Sequence, residues 1–585
     1  MFNKYYQQEL QFLRDLGEEF AEAYPQLAYL LAKPQADPDV ERLLEGFAFL
    51  AGQIRQKLDD EFPEITHGLM SVLWPHYLRP IPSMSILEFQ PVIQTLRRSQ
   101  KVPRGVEVQS IPVEGTPCRF RTCYEVVLQP IALEDMELLT KITGPSRLRL
   151  RFRLAGNVNV GDLDLGRLRM FLFGDASMTF ALYLHLCRHF ASGRVTAGWS
   201  DDKPPAGAGK PVTLRPVGFG ENEDLIPYSA ASFPGYRLLQ EYFSLPEKFL
   251  FIDLVGLEGL KGMALEDRFQ VEIEFDRQLE TSLRPTADEM RLNCTPVINL
   301  FPHEADPIRI DHTQTETRLR PSGKSPLHYE IFSIESVSAF VPGTAQRRDI
   351  QPFHSFVHSV GGKRDHFYLP RLKNSVVDDR VDTYLAFVDQ SGNTAYPPED
   401  VVSVDIMCSN RRLPESLRVG EINVATDSSP ESVRFQNLTK PSFSVAPPLG
   451  QGLHWRLISH MSLNYLSLVN VEALRGILQL YNFAALRDPQ AALANTRRLQ
   501  GIQAISAKPM DYMVKGIPLR GLAVAMQLLE DHFAGDGDLF LFSSVMNEFL
   551  SLYGTVNSFT RFEARGVQRG ESYLWPPRVG NRPLL

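Results

Sequence analysis

The stretch RFQVEIEFDR, Arg268–Arg277, decides how the middle of this 585-residue chain is read. Phe269, Val271, Ile273 and Phe275 fall on one side of an extended backbone, and Glu272, Glu274 and Asp276 on the other. Successive side chains of a strand point to opposite faces, so this alternation describes a strand with one face buried and one in water. Runs of the same kind lie on either side of it: SILEFQPV (85–92), RLRLRFRL (147–154), MFLFGD (170–175) and KFLFIDLVGL (248–257), separated by Pro, Gly and Asn clusters. The Gly- and Pro-rich segment 197–224 reads as a long exposed loop.

Upstream of Ser85 the period is helical. Tyr6, Leu10, Leu13, Leu16, Phe20 and Tyr24 recur every three or four residues and draw one apolar stripe. Asp37 before Pro38 reads as an N-cap with proline in the first turn. Val40, Leu43, Leu44, Phe47, Leu50, Ala51, Ile54 and Leu58 make a second, wider stripe, and a third short helix runs from Pro63 to Trp74. Two long amphipathic helices and a short one are thin for a domain, so packing on another chain competes with packing on each other.

Downstream, HYEIFSIESVSAF (328–340), TYLAFV (383–388) and VVSVDIMC (401–408) predict a second set of strands. LVNVEALRGILQLYNF (468–483) reads as a helix and Asp488-Pro489 opens another. RGLAVAMQLL (520–529) reads as a strand, and 538–565 as a helix followed by a strand. The expected architecture is α+β and multidomain. It comprises a helical segment over 1–84, β-rich regions over 85–320 and 321–455, and a compact α/β unit over 456–585.

Composition fits a folded protein of several cores: 43% hydrophobic, 22% charged, formal net charge −8 and pI near 6.0. That balance carries no bias toward nucleic acid. Five cysteines, an odd number, fit a reducing compartment better than a disulfide framework. The first twenty residues are charged throughout, unlike a secretory signal, and no run approaches the ~20 apolar residues of a membrane span. The expectation is a cytoplasmic protein.

Reactive residues collect in LNCTPVINLFPHEADPIRIDH (292–312), which holds Cys294, His303, Glu304, Asp306, Asp311 and His312. A metal-dependent hydrolase using His303, Glu304 and Asp306 is the alternative to a structural reading. Elsewhere the chemical signals are incomplete. AGAGKP has Pro204 and Pro211 where a phosphate loop needs Gly and Ser or Thr. His185, Cys187 and His189 would share one face of a strand, and His354 and His358 one face of a helix, but neither set has the partners of a metal site. No nucleophile elbow appears. Arg147, Arg149, Arg151 and Arg153 present four guanidinium groups on one strand face, which phosphates would suit; Asp162 and Asp164 across a hairpin would neutralise them. The arginines from Arg561 onward form either a docking surface for an acidic partner or a solvated end.

The chain resembles the TssF (ImpG/VasA) family of type VI secretion baseplate subunits. The likeness is carried by 5–28, 37–54 (DPDVERLLEGFAFLAGQI), 62–84, 245–254 (LPEKFLFIDL), 292–312, 408–417 (CSNRRLPESL), 455–468 and the closing SFTRFEARGVQRGESYLWPPRVGNRPLL. It implies a structural wedge protein related to those of contractile phage tails, with no catalytic residue and no cofactor. Its implied partners are TssG, a second TssF copy, TssK, TssE, the VgrG hub and sheath proteins, with no nucleic acid and no small-molecule substrate. Membrane contact would be only indirect, through the membrane complex. On that footing 292–312 is a conformational staple. Pro296, Pro302 and Pro307 fix torsions, Asn293 and Asn299 bond the local backbone, Cys294 acts as a small buried hydrophobe, and His303, Glu304, Asp306 and Arg309 pair among themselves or with a partner. Leu10, Leu13, Phe20, Leu43, Phe47, Leu50 and Ile54 are the expected intermolecular contacts.

Overall fold

The computed structural model describes residues 2–580 except 24–37, 60–62, 92–95, 141–144, 156–157, 199–208, 230–231, 264, 266, 280–283, 312–313, 324, 341–346, 354–365, 376–377, 391, 399–400, 432, 450–468, 515–516 and 555–557. Asp37, His312, His354 and His358 therefore lie outside the described residues.

Three helices open the chain: α1 (Phe2–Ala23), α2 (Pro38–Asp59) and α3 (Pro63–Leu73). The period then changes as the sequence predicts. Met84–Pro91 sits in a five-stranded antiparallel sheet between Val433–Asn437 and Cys294–Ile298, with Thr116–Thr122 and Glu107–Val113 beyond. A second sheet places Arg268–Phe275 between Phe190–Ala197 and Arg147–Leu154, with Ile131–Leu139 at its edge. Phe269, Val271, Ile273 and Phe275 are all fully buried, so period-two alternation does mark the inward face here.

On the outward face of that second sheet the arginine ladder is neutralised, though not by the expected aspartates. Arg147 pairs with Glu274 at 3.3 Å, and Arg149 with Glu272 and Glu137 at 3.2 Å each. Arg151 pairs with Asp135 at 2.9 Å and Arg153 with Glu134 at 3.2 Å. Asp164 instead meets Lys101 at 3.4 Å. The acids come from both flanking strands because cross-strand neighbours are set by register, and Asp162 and Asp164 fall outside the sheet.

Two further expectations change in kind. His185, Cys187 and His189 do not line a strand; ASMTFALYLHLCR forms helix α4 (Ala176–Arg188), started by the Asp175 carboxylate accepting from Ser177 N at 3.0 Å. The predicted loop 197–224 contains strands at Lys210–Pro211 and Thr213–Pro216. The second of these joins a sheet with Phe251–Val255, Arg167–Leu172 and Met290–Leu292.

Helices α5 (Pro234–Ser244), α6 (Val471–Leu480), α7 (Pro489–Gln500) and α8 (Asp536–Ser551) follow along the chain. Asp488 caps α7 through Gln490 N and Ala491 N, as its Asp-Pro start predicts. Strand Ile502–Val514, which the sequence reading missed, pairs with Ile517–Leu528. The latter runs parallel to Phe559–Gly566, with α8 as the crossover between them. Helix α8 is buried on nearly every side and packs on α4 and α5. At the α4 contact a Cβ on Gly537 would lie 2.0 Å from Phe180 O, so only glycine allows that approach.

One core therefore runs from Met70 to Tyr573. A separate core draws only on residues between Phe301 and Cys408. Its sheets hold Phe301–Glu304, Val401–Ser409, Glu330–Phe340 and Arg347–Asp349 in one, and Glu316–Arg318, Val381–Val388, Phe367–Asn374 and Gln351–Pro352 in the other.

Candidate interaction surface

Much of 292–311 is strand rather than loop. Cys294–Ile298 belongs to the first sheet, and Phe301–Glu304 and Ile308–Arg309 to the next, so the chain changes sheets at Asn299. Asn299 does not bond locally. Its fully buried amide donates to Arg119 O at 2.7 Å and Asn410 Oδ1 at 2.9 Å, and accepts from Asn410 N at 2.6 Å.

His303 stacks on Tyr329 with ring centroids 5.0 Å apart and donates from Nε2 to Ser322 O at 2.7 Å. Asp306 N bonds Arg320 O at 2.7 Å, and Glu304 O accepts from Ser322 N at 2.9 Å. These contacts tie the strand to the 319–322 segment and converge on no common point. Burial holds the Cys294 thiol well above its ordinary range, which suits a hydrophobe and not a nucleophile. Among the described residues no three His, Cys, Asp or Glu side chains gather as metal ligands.

His185 in the last turn of α4 and His189, which caps that helix, lie one turn apart with centroids at 5.2 Å. Their Nδ1 atoms donate to Ala181 O (2.9 Å) and the Asp276 carboxylate (2.8 Å). Two arginines of the C-terminal stretch are also engaged within the chain: Arg569 with Asp536 at 2.6 Å, and Arg578 with Glu548.

The amino-terminal hairpin is different. Helices α1 and α2 pack antiparallel, with Leu10 and Ala48 buried between them. A Cβ on Gly52 would sit 3.1 Å from Tyr6 N, so the helices cross closely there. An Arg14–Glu41 ion pair at 2.5 Å closes the other end. This seam uses one side of each helix. On the far side of α2, Leu43 is 74% exposed, Phe47 61%, Leu50 59% and Ile54 63%. Their spacing of four, three and four residues places them on one stripe, the pattern of a seam between helices.

Of the seven residues singled out from sequence, these four share one uncovered face. Leu10 is taken up by the intrachain seam and Leu13 is half-buried. Phe20 lies on α1, with its side chain outside the described residues. Sequence reasoning missed Phe12, exposed on α1 one turn from exposed Leu16; Leu16 was on the α1 stripe, but Phe12 fell off it. Beyond the hairpin, α3 buries Met70 in the main core, and Trp74 just after it is buried there too.

The comparisons with known proteins agree with one another. Residues 1–582 match the family model "Type VI secretion system, TssF". "Type VI secretion system component TssF1" of Pseudomonas aeruginosa is 31% identical over 635 aligned residues, covering 100% of this chain and 99% of that protein. A chain of the TssK-TssF-TssG baseplate subcomplex, solved by cryo-electron microscopy, superposes with a TM-score of 0.77 at 34% identity, covering 93% of this chain and 99% of that one. A chain of a type VI secretion baseplate complex superposes with a TM-score of 0.66 at 29% identity, covering both chains fully. The chain belongs to the TssF family, a baseplate component of the type VI secretion system.

Proposed function

We propose that this chain is a structural, non-enzymatic subunit of the baseplate wedge whose α1–α2 hairpin is completed by partners: TssG and a second copy of the chain. TssK, TssE, the VgrG hub and the sheath proteins are the further neighbours, in a cytoplasmic assembly docked at the inner membrane through other components. The observation that carries this reading is the uncovered α2 stripe of Leu43, Phe47, Leu50 and Ile54. Burying such a side chain gains about 1.5–3 kcal/mol. An isolated chain therefore forgoes a sizeable stabilisation that a helical partner would recover, and obligate contacts of this type bury on the order of 2,000–5,000 Å². The solved relative in a TssK-TssF-TssG subcomplex supports the choice of partners. Among the described residues no helix is long and apolar enough to cross a membrane.

Co-expression tests it. The chain purified beside TssG should give a complex by native mass spectrometry, and Phe47→Asp should abolish co-purification while leaving the chain folded. Intact co-purification of the variant would remove the stripe from the interface.

A further inference from the structure

We propose that residues 301–409 form one rigid body that swings about the Asn299/Asn410 crossing, held shut by a charge latch centred on Arg380. The inference does not depend on which partner covers α2.

The topology supplies the body and the axis. Every residue of the separate core lies between Phe301 and Cys408, so this unit has its own apolar interior. The chain enters it at Asn299–Leu300 and leaves at Ser409–Asn410, and the two crossings are bound to each other by the Asn299–Asn410 amide pair. Two strands of chain pinned at one point make a pivot. The rest of the seam mixes cation–π contacts with a few apolar ones, the buried Phe332 chief among them. Arg119 lies over Phe301 at 4.6 Å and Arg79 over Phe332 at 5.2 Å, and Phe332, Leu372 and Met407 touch the main core.

The latch crosses the same seam. Arg380 is fully buried, and its guanidinium reaches Glu330 within the unit (3.2 Å). Across the seam it reaches Ser444 Oγ and O (3.2 Å each) and Glu415 (3.7 Å). Arg411 holds Asp378 at 2.7 Å, and Arg412 holds Asp379. Arg487, from beyond α6, holds both Asp379 at 3.3 Å and Glu415 at 3.2 Å. Four arginines thus face four carboxylates, and the pairs join the unit to the main body and to the C-terminal part. Charged groups that separate are taken up by water, whereas a separated apolar seam is not, so an ionic seam can reopen. Helix α3 packs on strand Phe367–Asn374. The swing therefore reaches the helix next to the α1–α2 hairpin.

The test is hydrogen exchange by mass spectrometry on the full chain. Asp378→Asn/Asp379→Asn should accelerate exchange at least tenfold in 378–382, 410–417 and 442–446. The core strands Glu330–Phe340 and Val401–Ser409 should keep their wild-type rates. Arg412→Gln, on a more exposed side chain, should give the same pattern more weakly, and Arg412→Lys should restore it. Spin labels at Leu327→Cys and Val419→Cys, both exposed positions, should show a broadened distance distribution in the double variant. Seam exchange within twofold of wild type, or core strands accelerating together with the seam, would overturn the proposal.

Discussion

Helices α2 and α8 are both rich in large apolar residues, yet the chain treats them in opposite ways. Helix α8 is enclosed: Leu539, Leu541, Phe542, Val545, Met546, Phe549 and Leu550 are buried, as are small and polar positions between them. Helix α2 buries Ala48 and Gly52 and turns Leu43, Phe47, Leu50 and Ile54 to solvent. A helix whose small residues face its neighbour and whose large ones face water is, on the function proposed above, one whose main contact is with a partner. Apolar content alone does not separate a core helix from a docking helix; which residues the chain itself covers does.

The sharpest way to break that contrast is one substitution made twice. Phe549→Asp places a carboxylate without a counter-ion in the main core and should cost more than about 4 kcal/mol, leaving no soluble folded chain. Phe47→Asp should leave the thermal midpoint within the small change typical of surface positions while removing the partner. Equal loss of folding in both, read by thermal denaturation, would make α2 a core helix.

A change of pH should act on the main core through His76. His76 is buried among Tyr228 (centroids 4.5 Å) and Tyr481 (6.0 Å), beside the Tyr236–Tyr481 stack at 4.7 Å. Burial, then the Arg79 charge, pulls its pKa from the ordinary 6.5 to about 3. Between those values the unfolded chain carries a proton that the folded chain refuses. Stability is thus complete above pH 6.5 and falls as pH drops toward 3, by about 1.4 kcal/mol per pH unit for this group. His76→Phe should flatten that slope in melts taken from pH 7 to 5; an unchanged slope would assign the acid sensitivity to other groups.

The smallest effect contrasts two glycines. Gly537→Ala on α8 should cost about 1–3 kcal/mol because the methyl has no room beside Phe180. Gly46→Ala on α2, with nothing within 4 Å, should stabilise by about 0.5–1 kcal/mol. Denaturant midpoints of the two variants should move in opposite directions.

Local patterning carried much of the fold. The alternation of Phe269, Val271, Ile273 and Phe275, the helical stripes before Ser85 and the Asp-Pro start of α7 each depend on a period or a cap within a few residues. The misreadings share a different cause. Alternating His185, Cys187 and His189 imitate a strand, and only the run from the Asp175 cap shows the helix. Thr213–Pro216 looks like loop because its partner, Phe251–Val255, is some forty residues away. Asn299 reads as a local turn residue because Asn410, which receives it, is 111 residues distant. The stretch 292–312 drew attention for its reactive side chains, but their separation across two sheets was not legible from their closeness in sequence.

By itself the order of residues determined the helical start, most of the strands, the α2 stripe and the family, since each depends on short-range spacing or on matched segments along the chain. Tertiary structure alone decided which acids neutralise the arginine ladder, where the chain changes sheets, how four arginines meet four carboxylates around Arg380, and which apolar residues of α1 and α2 stay exposed. Those outcomes depend on register and on contacts between distant segments, and no local pattern encodes a distance between residues a hundred positions apart.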